Sequence, residues 1–206
     1  YHGIDQRDLS NGSLKVIETL QLAGFQAYLV GGGIRDLLLE KSPKDFDVAT
    51  SAKPNEIKSL FKKSRIIGRR FQIVHVRIGA EIVEVTTFRG SAENSQKRQA
   101  NASGMLVRDN VFGKVEDDAV RRDFTMNALY YDPSTKEVID FVGGYDDLED
   151  GIIRIIGDPE TRYREDPVRM LRAMRFIGKL GVQLEAQTAI PIQALAPLLR
   201  DVSPSR

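Results

Sequence analysis

The 206-residue chain has no cysteine and no tryptophan, only two histidines, and 7% aromatic residues. Without thiols it can build neither a disulfide framework nor a thiolate metal site, which fits a reducing compartment and leads us to expect a cytoplasmic protein. No apolar run approaches the roughly 18 residues that would suggest a membrane span, so no membrane partner is expected. Charge of one sign is lacking too: 30 lysines and arginines face 29 aspartates and glutamates, a net +1. Composition alone therefore makes no case for nucleic acid, and any RNA contact has to come from local clustering. What remains, 41% hydrophobic and 29% charged residues, is ordinary for a globular chain with ample length for a core, and we expect a monomer. The chain begins at Tyr1 without methionine and stops at Arg206 soon after a helical run, so it reads as a piece of a longer protein.

The most informative stretch is 29–50, LVGGGIRDLLLEKSPKDFDVAT. A strand through Val30 breaks at Gly31, Gly32 and Gly33, a short helix follows over 34–39, and a second strand carries Asp45 and Asp47. The glycines do not fit the dinucleotide pattern G-x-G-x-x-G, but they let a backbone approach a triphosphate where a helix begins. Residues two apart on a strand share a face, so Asp45 and Asp47 project together while Phe46 turns to the core. Paired carboxylates repel unless a cation lies between them, and Mg²⁺ takes carboxylates together with phosphate oxygens. The stretch thus offers both halves of a nucleotide–metal site.

Elsewhere the pattern reads as scaffold with a few chemical groups set into it. Apolar spacing predicts a helix over 14–22 ending at Gly24, and another from Pro54 through Phe61. Alternation over 71–78 and 81–87 around Gly79-Ala80 predicts a hairpin. Glu84, between Val83 and Val85, then points away from the core, and His75 is assigned to packing. Residues 91–110 read as a long polar loop in which Lys97 and Arg98 are taken as solvated charge. Residues 116–131 read as one amphipathic helix with surface charges, Arg121 and Arg122 among them, and with Asp123 and Asn127 one turn apart. A strand at 138–141, a helical turn at 145–150 closed by Gly151 and a strand at 152–156 lead to a boundary at Gly157-Asp158-Pro159. A last helix is expected over 164–180, with Val168, Leu171, Phe176, Ile177 and Leu180 as its apolar stripe and Asp166, Arg169, Arg172 and Arg175 opposite.

LVGGGIRD with DFDVAT, then RRDFTMNA, then EDPVR, in that order between about residues 26 and 181, resemble the signatures of the nucleotidyltransferase family of bacterial poly(A) polymerases and tRNA CCA-adding enzymes (class II). GRRF at 68–71 and the Tyr130-Tyr131 pair are more similar to the poly(A) polymerases, with CCA addition as the alternative. The resemblance implies an α/β fold, a nucleotidyltransferase-type mixed-sheet head with flanking helices over 1–157, followed by an all-helical neck over 158–206 that begins an RNA-binding region. It implies that AMP passes from ATP to an RNA 3′ end by a two-metal mechanism with loss of pyrophosphate. Asp45, Asp47 and Glu84 would hold Mg²⁺, with Asp45, Asp47 and Asp123 catalytic. Gly31, Gly32 and Arg35 would hold phosphates, with Arg122, Asn127, Asp166, Arg169 and Arg172 also on the nucleotide. An acid and an arginine three residues apart, Asp166 and Arg169, can read the amino edge of adenine or cytosine and oppose uracil and guanine. ATP and an RNA 3′ end are the expected partners, with weak RNA grip from this stretch alone. A non-catalytic nucleotide- or RNA-binding module is a third reading, against which the three carboxylates stand.

Overall fold

The computed structural model describes residues 2–69, 71–90, 98–100, 106–109 and 112–202. Arg70 and Lys97 lie outside the described residues. Helix α1 (Asn11–Leu22) begins where Ser10 accepts a hydrogen bond from the Ser13 amide, and Glu81 adds a second cap by accepting from the Gly12 amide at 3.0 Å. Next come β1 (Ala27–Val30), α2 (Gly32–Leu38), β2 (Asp47–Thr50), α3 (Pro54–Leu60), β3 (Ser64–Ile67) and the hairpin of β4 (Ile73–Ile78) and β5 (Glu81–Thr87). Within the expected polar loop, β6 (Arg98–Ala100) and β7 (Leu106–Asp109) pair as a separate antiparallel ribbon. After α4 (Val115–Arg121) come β8 (Leu129–Asp132), β9 (Glu137–Asp140), α5 (Gly144–Asp150) and β10 (Ile152–Ile153). The remainder is α6 (Pro159–Glu165), α7 (Val168–Leu180), β11 (Gln183–Leu184), α8 (Ala186–Ala189) and α9 (Ile192–Leu195).

Seven strands form one mixed sheet in the order β3-β4-β5-β2-β1-β8-β9. All its pairings are antiparallel except β2 with β5, whose crossover runs through α3 and the β3–β4 hairpin. Alternation along the strands sends side chains to two separate cores. Leu29, Val48, Val74, Val76, Val83, Val85 and Leu129 face the larger one with Val16, Ile17 and Leu20 of α1. Val30, Ala49 and Tyr130 face the other, with Phe88 and with Val115 and Ala119 of α4. On this second face the register lines up His75, Glu84, Asp47, Val30 and Tyr130 in one row across five strands.

Two expected helices are corrected. The one over 116–131 stops at Arg121, and its second half becomes a 3-10 turn at Thr125–Asn127 followed by β8. Tertiary partners replace the helical ones: Arg162 takes the carbonyls of Arg121 and Arg122, and the Thr125 amide donates to the Arg154 carbonyl at 3.0 Å. The helix over 164–180 is two helices, broken at Asp166, which is extended (φ −149°, ψ 91°) because it precedes Pro167. The buried face of α7 carries Val168, Arg169, Met170 and Ala173, whereas Leu171 is 39% exposed and Arg169 only 6%. The strand expected at 152–156 shortens to Ile152–Ile153 and pairs in parallel with Gln183–Leu184, so the C-terminal segment is helical apart from that strand. Tyr163, Met170, Ala173 and Leu195 share one core cluster with Phe124, Ile153 and Ile155.

The 3-10 turn at Thr125–Asn127 is packed against α5 at Gly144, where a Cβ would lie 2.0 Å from the Thr125 carbonyl oxygen. Gly178 in α7, by contrast, is exposed with nothing within 4 Å. The same substitution should therefore have opposite signs. In urea unfolding, Gly144→Ala is expected to destabilise by about 1–3 kcal/mol, and Gly178→Ala to stabilise by about 0.5–1 kcal/mol. Equal effects at the two sites would contradict this packing.

Candidate active site

A cavity of about 490 Å³ opens on the second face of the sheet. Its floor is the carboxylate row. Asp47 on β2 stands beside Glu84 on β5 in the parallel register, both half-buried, with Val83 and Val85 turned to the opposite core. Burial, then the charge of Glu84, pushes the Asp47 carboxyl up to about 6. Burial and the charge of Asp45 raise Glu84 as well. Asp45 itself precedes β2, is exposed and does not line the cavity, although its charge reaches both carboxylates. Among the described residues no three His, Cys, Asp or Glu side chains are gathered closely enough to hold a metal ion. Asp47 and Glu84 nonetheless form an oxygen-only pair whose mutual repulsion a hard divalent cation would relieve, so the donor chemistry fits Mg²⁺. His75, assigned to packing, is half-buried opposite Glu84 on the same sheet face and does not line the cavity.

The wall above the carboxylates comes from α4 and the turn after it. Asp118, 3% exposed, is its hub: it accepts from Arg122 Nε at 3.1 Å, from the Tyr130 hydroxyl and from the Arg89 amide at 2.9 Å. Arg122 Nε also donates to the Tyr130 oxygen at 3.1 Å. Burial works against the charge of Arg122, but Asp118 and Tyr130 outweigh it and raise its pKa. Burial likewise raises Tyr130, so the phenol stays protonated and donates. Asp123 accepts from the Phe124 amide at 2.6 Å and from Asn127 Nδ2 at 3.3 Å, and its other oxygen lies 2.7 Å from Arg172 Nη2, too oblique for a hydrogen bond.

Arg35 does not line the cavity. It is 5% exposed, donates to Asn127 Oδ1 at 2.7 Å, pairs with Asp36 at 3.0 Å and lies over the ring of Phe176. Its structural position is beneath Asn127. Of the three glycines only Gly31 lines the cavity, at φ +79°, ψ −140°, a conformation open to glycine. Its amide donates to the Leu129 carbonyl at 3.3 Å. Gly32 starts α2 against the Arg35 guanidinium, 3.2 Å from where a Cβ would be.

The far wall belongs to the α6–α7 junction. Asp166, Arg169 and Arg172 all line the cavity, while Arg175 does not. Arg169 Nη1 donates to the Arg162 carbonyl at 2.7 Å and lies 3.5 Å from Glu165. The structure therefore brings Gly31, Asp47, Glu84, Arg122, Asp123, Asn127, Asp166, Arg169 and Arg172 to one cavity, and leaves Asp45, Gly32 and Arg35 at its margin or behind it. Asp118, Arg89 and Thr86 also line it and were not singled out. Thr86 was legible, since it shares the face of Glu84 two residues on. Asp118 is visible only in the fold, because its partners come from three separate segments.

Facing carboxylates on a mixed sheet, an arginine-bearing turn above them and an acid–arginine pair across the cavity are the arrangement of a nucleotidyltransferase. The chain belongs to the poly(A) polymerase family, whose Poly A polymerase head domain matches residues 27–154. It is 55% identical over 209 residues to poly(A) polymerase I of Salmonella typhi, covering 100% of this chain and 45% of that protein. It is 41% identical over 194 residues to the CCA-adding enzyme of Lactobacillus helveticus, covering 94% of this chain and 47% of that protein. The crystal structure of the Bacillus stearothermophilus CCA-adding enzyme in complex with CTP superposes with a TM-score of 0.78 at 38% identity, over 93% of this chain and 44% of that one. The chain thus spans less than half the length of these relatives.

The raised Asp47 carboxyl has a measurable consequence. A carboxyl whose folded pKa lies above its unfolded value binds more protons in the folded state, so its stabilising contribution is complete only below the unfolded value of 3.8 and is lost as pH rises from there through about 6. Without divalent ions, Asp47→Asn should therefore raise the melting temperature at pH 8 and leave it nearly unchanged at about pH 3, below the unfolded value. Added Mg²⁺ should stabilise the unsubstituted protein at pH 8 more than the variant. A variant less stable at pH 8 would contradict an Asp47 carboxyl raised by burial and by Glu84.

Proposed function

We propose that the chain is the catalytic part of a template-independent polynucleotide adenylyltransferase, which adds AMP from ATP to RNA 3′ ends. The observation that carries this reading is the single cavity in which Asp47 and Glu84, Arg122 and Asn127, and Asp166 and Arg169 meet. It combines a carboxylate floor, cations for a triphosphate and an acceptor–donor pair for a base. Residues 1–157 act as the catalytic head and the following helices as the neck that reads the base.

Asp47, Glu84 and, after a shift toward them, Asp45 would hold divalent ions of the Mg²⁺ type, which supply hydroxyl activation and charge neutralisation at the triphosphate. The chain's own residues do the rest. Arg122, held in place by Asp118 and Tyr130, presents its charge to the phosphates. Gly31 lets them approach the backbone, with Gly32 starting the helix behind it. Asn127 and Asp123 keep the turn in register and hold Arg172 at the rim. Asp166 accepts from the adenine amino group while Arg169 donates to the adjacent ring nitrogen, which disfavours uracil and guanine. The RNA 3′ oxygen bonds to the α-phosphorus, the bond to the bridging oxygen breaks in line, and pyrophosphate leaves.

Between the two activities of the family, the higher identity to the poly(A) polymerase than to the CCA-adding enzyme, 55% against 41%, favours adenylation. The test uses the full natural chain with Mg²⁺, an unstructured RNA, a tRNA ending before CCA, and each nucleoside triphosphate alone and mixed. We expect A tails on the unstructured RNA from ATP, reduced at least about 10³-fold by Asp47→Ala. Addition confined to C, C and A on the tRNA would establish CCA addition instead, and binding of ATP that is indifferent to Mg²⁺, with no incorporation, would establish a non-catalytic module.

A further inference from the structure

Arg162 is buried, 8% exposed, and does not line the cavity, yet its guanidinium touches both walls of it. One Nη2 donates to the carbonyls of Arg121 and Arg122, each at 2.6 Å. Those are carbonyls at the end of α4, where no further helical turn is present to receive them. The other terminal nitrogen, Nη1, donates to Glu165 Oε2 at 3.1 Å, and the same carboxylate oxygen lies 3.5 Å from Arg169 Nη1. One planar group thus joins the backbone that carries Arg122 and Asp123 to a carboxylate beside Arg169, whose Nη1 also donates to the Arg162 carbonyl at 2.7 Å.

This arrangement is costly. Arg162 Nε is buried without a partner among the described residues, and burial, followed by the neighbouring charge of Arg169, lowers the guanidinium pKa to about 10. A buried arginine near a second arginine is poor evidence for stability, since an apolar residue of the same volume often serves a fold at least as well. A fork with five donors in one plane can, however, fix two separate segments at once in set directions, which an apolar side chain cannot do and a lysine's rotatable ammonium does not hold in one plane.

Resting on the reading of the site given above, we propose that Arg162 is a positioning residue that locks the triphosphate wall to the base-reading wall, so that a nucleotide recognised at Asp166 and Arg169 finds Arg122 already aligned. It touches no substrate and acts through the Arg121–Arg122 carbonyls and Glu165.

The experiment measures kcat and KM for ATP and for UTP on a short RNA primer, with melting temperatures, for the full natural chain and for Arg162→Lys and Arg162→Gln. Lysine keeps the charge and one carbonyl contact but loses the fork, and it decides the question if the glutamine variant does not fold. For Arg162→Lys we expect kcat for ATP to fall about 10²-fold, as for a small displacement of an aligned group. The preference for ATP over UTP in kcat/KM should shrink by about tenfold or more as Arg169 loses its steadied partner. A lower melting temperature with the preference intact would overturn the inference and leave Arg162 a structural strut. An unsubstituted protein that does not prefer ATP over UTP would instead overturn the reading of the site, whatever the variants do.

Discussion

Two carboxylates placed side by side at one register position of a parallel strand pair repel each other, and half-burial prevents water from screening them well. Much of the surrounding structure can be understood as holding Asp47 and Glu84 against that repulsion. The backs of both strands are Val48, Val83 and Val85, fully buried, so neither strand can rotate its acid away without exposing the larger core. The crossover through α3 and the β3–β4 hairpin makes the β2–β5 pairing parallel, and that pairing sets the two acids level. In a plain antiparallel meander β5 would not reach β2.

The arginines divide by burial into two kinds. Arg35, Arg162 and Arg169 are nearly inaccessible and make short bonds to Asn127, to backbone carbonyls and to Asp36 or Glu165. Arg122 and Arg172 keep 25% and 47% of their side chains exposed and face the cavity, although each is also paired with an aspartate. Of the buried set, Arg35 and Arg162 shape the walls from behind, whereas Arg169 lines the cavity together with the exposed pair. Phe176 joins the two, lying within 5.1 Å of Arg35 and 5.8 Å of Arg172 while its edge meets Phe124 at 5.7 Å.

Most of the sheet was legible because strand alternation is a local property: Val83, Glu84 and Val85 announce their faces without help from any other segment, and Gly79-Ala80 marks the hairpin. The glycine turn and Asp47 were legible for the same reason. Periodicity failed where tertiary contacts override it. Nothing local ends the helix at Arg121, since the groups that take over its hydrogen bonds, Arg162 and Arg154, lie more than thirty residues on. Arg35 carried a charge suited to phosphate, but only the fold shows it turned under Asn127. On α7, Arg169 was placed opposite the apolar stripe, while the helix rotates it inward beside Met170. The break at Asp166 could have been read from Pro167, which disfavours helical backbone in the residue before it.

The short parallel pair of β10 and β11 has a bearing on how the chain could be dissected. Composition suggests a cut at Gly157, where glycine, aspartate and proline adjoin. A chain ended there would lose the strand partner of Ile152 and Ile153, and also Tyr163, Met170, Ala173 and Leu195, which complete the packing around Phe124 and Ile155. The carbonyls of Arg121 and Arg122 would lose their donor in the same stroke. The packing around the sheet therefore continues through α9, and a cut at Gly157 would divide one core.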